Sequence, residues 1–149
     1  MDGYWEQPDQ TDLAIVDGWF HTGDGGTLDG DGYLTILDRK KDVIISGGEN
    51  VSSIEVEDAL FSHPDVAEVA VIGVPDEKWG ELVLALVVLT DGSAATEDEL
   101  REHCRVKVAG YKVPKRIEFR DELDRTATGK LQKFKLRAPY WDGQERQVN

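Results

Sequence analysis

One cysteine, one methionine and five prolines in 149 residues leave several protein classes without raw material. A lone thiol, Cys104, excludes a disulfide framework and a cysteine-based metal site. The opening MDGYWEQPDQTD has neither a basic start nor an apolar run, so no signal peptide is visible. The apolar run that ends at Leu89 is far too short to span a bilayer. Lys and Arg are missing altogether from residues 1–38, which carry nine acidic side chains. The whole chain has a net charge of −13, which argues against nucleic-acid binding, because that needs a basic face. These absences predict a reduced, cytoplasmic protein with no transmembrane segment.

What is present is enough for a core. Apolar residues make up 40% of the chain, so it is not a disordered acidic tail. The charge is uneven. Residues 39–149 hold 21 acidic and 17 basic side chains, and within 110–137 nine basic ones outnumber four acidic. Such a patch is either a solvated surface or a local match for a small polyanion such as a nucleotide.

Two regimes follow one another. Residues 1–38 are rich in Gly and Asp and supply no core of their own, as expected for the end of something larger. Leu28 to Leu37 reads as a hairpin, because its Asp-Gly pairs tolerate positive φ and alternating apolar residues follow. Beyond Asp38-Arg39-Lys40-Lys41-Asp42 the pattern becomes α+β. A short strand at Val43-Ile44-Ile45 ends at Gly47-Gly48, and Ser52 with Glu55 caps a helix that runs to about Ser62. Val66–Val74 and Leu82–Leu89 read as strands, and Thr96 with Glu99 opens a helix to about Val108, stopped by Gly110. Ile117-Glu118-Phe119 adds a strand and Lys133–Ala138 a last short helix.

Three segments carry chemistry. Asp24 follows Trp19-Phe20-His21-Thr22-Gly23 at a turn, where a carboxylate either shapes the turn or accepts from both hydroxyls of a ribose. Arg39 is a connector cation or a fork for ribose and phosphate oxygens, and Gly47-Gly48 is a turn or a place where a ligand approaches backbone. Asp124-Arg125-Thr126-Ala127-Thr128-Gly129-Lys130-Leu131 evokes a phosphate loop. That reading fails, because the loop needs Gly where Asp124 stands and Ser or Thr where Leu131 stands. What remains is a lysine on a tight turn, either solvated or aimed at an oxyanion.

In this order and spacing, these pieces are specific. Gly3-Tyr4-Trp5 with Pro8 and Thr11, Thr22-Gly23-Asp24, Asp38-Arg39, Ser46-Gly47-Gly48-Glu49-Asn50, Ile54-Glu55, Pro75-Asp76 with Gly80-Glu81, Tyr111-Lys112-Val113-Pro114 and Thr128-Gly129-Lys130 follow one another along the chain. Over about residues 1–138 the chain resembles the carboxyl-terminal part of acyl-CoA synthetases. These belong to the adenylate-forming, AMP-binding ligase superfamily.

The resemblance implies an α+β fold: a small C-terminal domain with a mixed β-sheet flanked by helices, preceded by a β-hairpin-rich remnant of a large N-terminal domain. Residues 1–40 would end that large domain, residues 41–149 would form a lid, and 139–149 a disordered tail. It implies an ATP-dependent, AMP-forming acid–thiol ligase that makes an acyl-adenylate and passes the acyl group, expected to be fatty, to coenzyme A. By the same resemblance Lys130 is catalytic, Asp24 and Arg39 bind the ribose of ATP or AMP, and Lys41 is the hinge. Gly47, Gly48, Tyr111, Lys112 and Lys115 would lie along coenzyme A. No metal ligand is expected here; Mg2+ would be held by groups outside this chain. The partners implied are the large AMP-binding domain, a carboxylic acid and coenzyme A.

Departures qualify the match. Val113 stands where some relatives have arginine, Ser53 where proline is common before Ile-Glu, and His21 where Arg or Lys is frequent. The superfamily's Gly-, Ser- and Thr-rich phosphate loop is absent, and Met1 coincides with a methionine internal to the family's Met-x-Gly-Tyr-Trp motif. A fragment, inactive alone, is therefore expected. Two other functions compete: an adenylation domain that loads a carrier protein, and a stand-alone interaction module without catalysis.

Overall fold

Two long apolar strands whose side chains alternate in direction decide the architecture beyond residue 40. The structure, a computed structural model, describes residues 1–143. Contacts divide the chain into two units, Met1–Lys40 and Lys41–Asn149.

The first unit is built from short pieces. Helix α1 (Pro8–Ala14) starts with proline at its first position, where the missing N–H has no helical partner to lose. The sequence pattern had offered no helix there. Strands β1 (Ile15–Val16) and β2 (Trp19–Phe20) pair as a small hairpin, and β3 (Asp24–Leu28) pairs antiparallel with β4 (Leu34–Arg39). The second hairpin closes where Leu28 meets Leu34, and Oδ1 of Asp29 accepts from the N–H groups of Asp31 (3.0 Å) and Tyr33 (2.8 Å) across the turn. Gly3, Tyr4 and Thr11 meet as well: the Thr11 hydroxyl accepts from the Tyr4 N–H at 2.9 Å, and a Cβ on Gly3 would touch its methyl. Asp38 is the one buried residue of this unit, so it has no apolar core of its own.

The second unit opens with a single 3₁₀ turn, Lys40–Asp42, which begins on the last residue of the first. There follow β5 (Ile44–Ser46), β6 (Glu49–Val51), α2 (Ser53–Phe61), β7 (Val66–Asp76), β8 (Gly80–Leu89), α3 (Glu97–Arg105), β9 (Arg116–Phe119), α4 (Lys133–Arg137) and a 3₁₀ turn, Ala138–Tyr140. Strand β8 is central. It pairs antiparallel with β7 along its length, parallel with β9, and at Gly80 with Ser46 of β5, which in turn pairs with β6. The mixed sheet expected from the sequence is present.

Period-two alternation gives this sheet two buried faces. Val69, Val71, Val83, Ala85 and Val87 pack with Val56, Leu60, Leu100 and Cys104 beneath α2 and α3. Ala70, Ile72, Val74, Leu84 and Leu86 pack with Leu123 against Leu131, Leu136 and Tyr140 of the last segment. Each fully buried Val or Leu is worth ~1.5–3 kcal/mol, against ~0–1 kcal/mol for an exposed ion pair. The β7–β8 ribbon therefore holds the unit together.

Local differences from expectation have physical causes. The first strand is shifted by one residue, and Gly47-Gly48 turns it back into β6. Helix α3 carries the full capping box of Thr96 and Glu99 but ends at Arg105. The N–H groups of Lys107 and Val108 then turn back to the Cys104 carbonyl at 2.9 and 3.1 Å, next to the β-branched Val106. The tail expected to be disordered from residue 139 is partly built. Tyr140 donates to Glu118 at 2.6 Å and the Trp141 indole donates to the Gly73 carbonyl at 2.9 Å, which straps the chain across β7 and β9. Residues 144–149, the rest of that expectation, lie outside the described residues.

Candidate functional site

In the first unit the register of one hairpin brings two candidates together. Asp24 opens β3 and Arg39 closes β4 as its cross-strand partner, and the guanidinium Nε stands 3.6 Å from the carboxylate. The Thr22 hydroxyl accepts from the Asp24 N–H at 3.1 Å and fixes the turn before it. The pair stays open, with side-chain exposures of 29% for Asp24 and 60% for Arg39. A carboxylate with a cation beside it can accept from two vicinal hydroxyls while the cation offsets a nearby phosphate.

In the second unit Lys41 is exposed in the 3₁₀ turn, and its neighbour Asp42 is anchored. The Asp42 carboxylate meets the Arg137 guanidinium of α4 at 3.2 Å, with both side chains largely buried.

Gly47 and Gly48 form the β5–β6 turn with φ of +62° and +86°, values that favour glycine. The Gly47 N–H donates to the Trp79 carbonyl at 2.8 Å, and a Cβ there would meet the Trp79 ring at 2.8 Å. Trp79 is itself fixed by a turn in which Oδ1 of Asp76 accepts from the N–H groups of Lys78 and Trp79, each at 2.9 Å. Glu81, 5% exposed, accepts from the Ile45 N–H at 3.1 Å and so holds β5 from β8. Its motif was visible in the sequence, but its use as a backbone acceptor was not; a lone acid opening an apolar strand is the signal that could have shown it.

Lys112 leans on α2. Its ammonium lies 2.5 Å from the Glu55 carboxylate and 5.7 Å from the Tyr111 ring centre. The bond to Glu55 raises its pKa, so it stays a cation. Glu55 thus meets Lys112 in addition to donating its N–H to the Ser52 cap at 3.4 Å. Tyr111 and Lys115 are exposed beside it, and Val113 is buried.

Lys130 sits on a tight turn with every backbone group used. Its N–H donates to the Thr126 hydroxyl at 3.0 Å, and its carbonyl accepts from the Thr126 N–H at 2.8 Å. Gly129 takes φ +82°, and its N–H closes on the Thr126 carbonyl at 2.9 Å. The side chain is exposed at the tip. Directly behind it, Lys133 of α4 is nearly buried and reaches both Glu57 and Ser53 of α2 at 2.7 Å, while Glu57 accepts from the Val71 N–H of β7 at 2.7 Å. Within the basic cluster the sequence had not separated these structural cations from the exposed ones; burial alone distinguishes them.

The two cationic groups stand on opposite sides of the sheet. Lys130 leads into α4 on the face of Ile72 and Leu86, and Lys112 is bonded to α2 on the face of Val71 and Val87. Among the described residues no group of three or more His, Cys, Asp or Glu is arranged to hold a metal ion. No described helix is long and apolar enough to cross a membrane.

Comparison with known proteins places this arrangement. Residues 55–130, from the helix that carries Glu55 to Lys130 itself, match the AMP-binding enzyme C-terminal domain. A feruloyl-CoA synthase of Amycolatopsis sp is 53% identical over 137 residues, covering 92% of this chain and 28% of that protein. The o-succinylbenzoate CoA synthetase MenE of Bacillus subtilis, solved with its acyl-adenylate intermediate, superposes with a TM-score of 0.85 at 41% identity over 91% of this chain and 28% of its own. ATP-bound MatB of Rhodopseudomonas palustris gives 0.84 at 41% identity over 96% of this chain and 29% of its own. The chain thus spans little more than a quarter of the relatives it matches. It belongs to the AMP-binding enzyme C-terminal domain family, the C-terminal part of adenylate-forming ligases.

Proposed function

We propose that this chain is the lid of an ATP-dependent, AMP-forming acyl-CoA ligase. In the first half-reaction a substrate carboxylate attacks the α-phosphorus of ATP, forming an acyl-adenylate and releasing pyrophosphate. In the second, the thiol of coenzyme A attacks the acyl carbon and AMP leaves. Two anions must meet in the first step, and Lys130, on its rigid exposed turn, supplies a cation that offsets their repulsion. Asp24 and Arg39 hold the ribose hydroxyls. Lys112, Tyr111 and Lys115, with the Gly47-Gly48 turn, lie along coenzyme A in the second step.

The observation that carries this reading is the placement of Lys130 and Lys112 on opposite faces of one sheet. A lid that turns between two arrangements, with Lys41 at its hinge, presents one cation to ATP and then the other to coenzyme A. The acid is a carboxylic acid of the fatty or aryl class. The relatives' names span both sides, feruloyl and o-succinylbenzoate on one and long-chain fatty acid on the other, and the sequence motifs resemble fatty- or aromatic-acid ligases alike.

The test is the pair of half-reactions in the full-length protein. Lys130→Ala should slow acid-dependent ATP–pyrophosphate exchange by ~10²–10³-fold, yet leave thioester formation from supplied acyl-adenylate near wild type. Equal loss of both steps would refute the alternating lid. The 149-residue chain alone should show no exchange, because its sequence holds no Gly-, Ser- and Thr-rich phosphate loop. Free coenzyme A, offered against a holo-carrier protein, should be the preferred acceptor.

A further inference from the structure

Lys130 is exposed at the tip of its turn, and an exposed lysine can act as a preorganised charge only if its turn is held in place. The turn's own hydrogen bonds are short-range and tie it to itself. Leu131 packs on the sheet face, and Arg125 adds hydrogen bonds from the turn to a strand. The Arg125 guanidinium spends two nitrogens on one carboxylate: Nε and Nη2 donate to Oε2 of Glu68 at 3.1 and 2.6 Å. Its remaining nitrogen, Nη1, donates to the Gly129 carbonyl at 2.7 Å, the peptide unit whose other end is the Lys130 N–H. Arg125 and Leu131 also face each other as an isolated bridge, so the guanidinium spans the mouth of the turn it closes.

Glu68 lies on β7 just after the strand's one register shift, paired with Val88 at the start of the continuous β7–β8 ladder. An anchor there joins the turn to the ladder of the sheet. We propose that Arg125, held by Glu68, is a positioning residue that fixes the Gly129 peptide and thereby the direction in which Lys130 leaves the turn. The inference rests on the adenylation role given to Lys130 above. It adds that the cation's placement, and not only its charge, is set by an ion pair outside the turn. Planar fork geometry is needed, because one group must serve a carboxylate and a carbonyl at once. Lysine, with a single nitrogen, cannot reproduce it.

The experiment uses the full-length protein and four variants: Arg125→Ala, Arg125→Lys, Glu68→Gln and Arg125→Ala combined with Lys130→Ala. Arg125→Ala should lower kcat for ATP–pyrophosphate exchange by ~10–10²-fold, the scale of a small misplacement of a reacting group. KM for ATP and thioester formation from supplied acyl-adenylate should stay near wild type. Arg125→Lys should not rescue, and Glu68→Gln should fall between. Adding Arg125→Ala to Lys130→Ala should cost nothing further, because Arg125 acts through Lys130. Amide hydrogen exchange at Lys130 should quicken in Arg125→Ala while Ile72 and Leu86 keep their protection. An unchanged Lys130 amide, or a full further loss in the double variant, would overturn the proposal. If Lys130→Ala leaves exchange of pyrophosphate intact while Arg125→Ala still loosens the Lys130 amide, the adenylation reading falls and the clamp stands.

Discussion

At the scale of single residues, Gly47 shows how a doublet that reads as flexibility is a packing constraint. Its φ of +62° and the Trp79 ring 2.8 Å from where a Cβ would sit act together. Gly47→Ala should lose ~1–2 kcal/mol from the backbone conformation alone, with a further loss as Trp79 is pushed aside. Urea midpoints of the two proteins would measure it; an unchanged midpoint would mean that the turn relaxes freely. His103 gives a pH signature. Burial, then the charge of His63 in edge contact at 4.8 Å, then Lys107, lower its pKa below the ordinary 6.5. The facing groups also include the Ser62 hydroxyl, bonded at 2.9 Å, and Glu99, whose carboxylate feels His63. A base with a depressed folded pKa binds its proton more tightly when unfolded. Its stabilisation is therefore complete above the ordinary value and is lost as pH falls through the folded one. Unfolding midpoints should drop as pH falls below 6.5, and His103→Gln should reduce that drop. An identical pH slope in the variant would exclude His103 as its source.

At the scale of elements, β7 is an edge strand among the described residues, pairing with β8 alone, and its outer edge would be open to another strand if left bare. Glu57 of α2 covers it by accepting from the Val71 N–H, and Lys133 of α4 comes round the edge to neutralise the carboxylate. With side-chain exposures of 15% and 12%, this pair is nearly buried, so removing one partner leaves an uncompensated charge. Glu57→Ala should cost ~3–5 kcal/mol, more than Lys133→Ala, because it leaves the ammonium with only the neutral Ser53 hydroxyl and takes the acceptor from the Val71 N–H. Denaturant titration of the two variants gives the order directly. This pair also marks where sequence reading stops. Long-period signals were legible: the Thr96–Glu99 box, the alternating β7 and β8, the β3–β4 hairpin and the ordered set of motifs through Lys130. Glu57 and Lys133 are 76 positions apart in sequence and look like any surface Glu and Lys until the sheet brings them together. Likewise α1 lay hidden because its seven residues bury nothing, so no apolar period announces it.

At the scale of the molecule, the uneven charge acquires a division of labour. The acidic first unit carries Asp24 and Arg39, and the second carries the exposed Lys130 and the largely buried, Glu55-bound Lys112 on opposite faces of one sheet. If the two half-reactions use the two faces in turn, the chain must turn somewhere, and the structure limits where. Asp42 is fixed to α4 through Arg137, and Lys40 donates its N–H to the Gly23 carbonyl of the first unit at 2.8 Å. Lys41 lies between these two residues, exposed in its 3₁₀ turn, where the two units meet along the chain. Proline there fixes φ at residue 41 and restricts Lys40 before it. In the full-length protein Lys41→Pro should leave ATP–pyrophosphate exchange close to wild type and slow thioester formation by roughly tenfold or more, a barrier increase of ~1.4 kcal/mol. That is the converse of the Lys130→Ala pattern, so the two variants together separate a hinge from a catalytic charge. A Lys41→Pro protein with both half-reactions intact would show that the chain reaches coenzyme A without turning at residue 41.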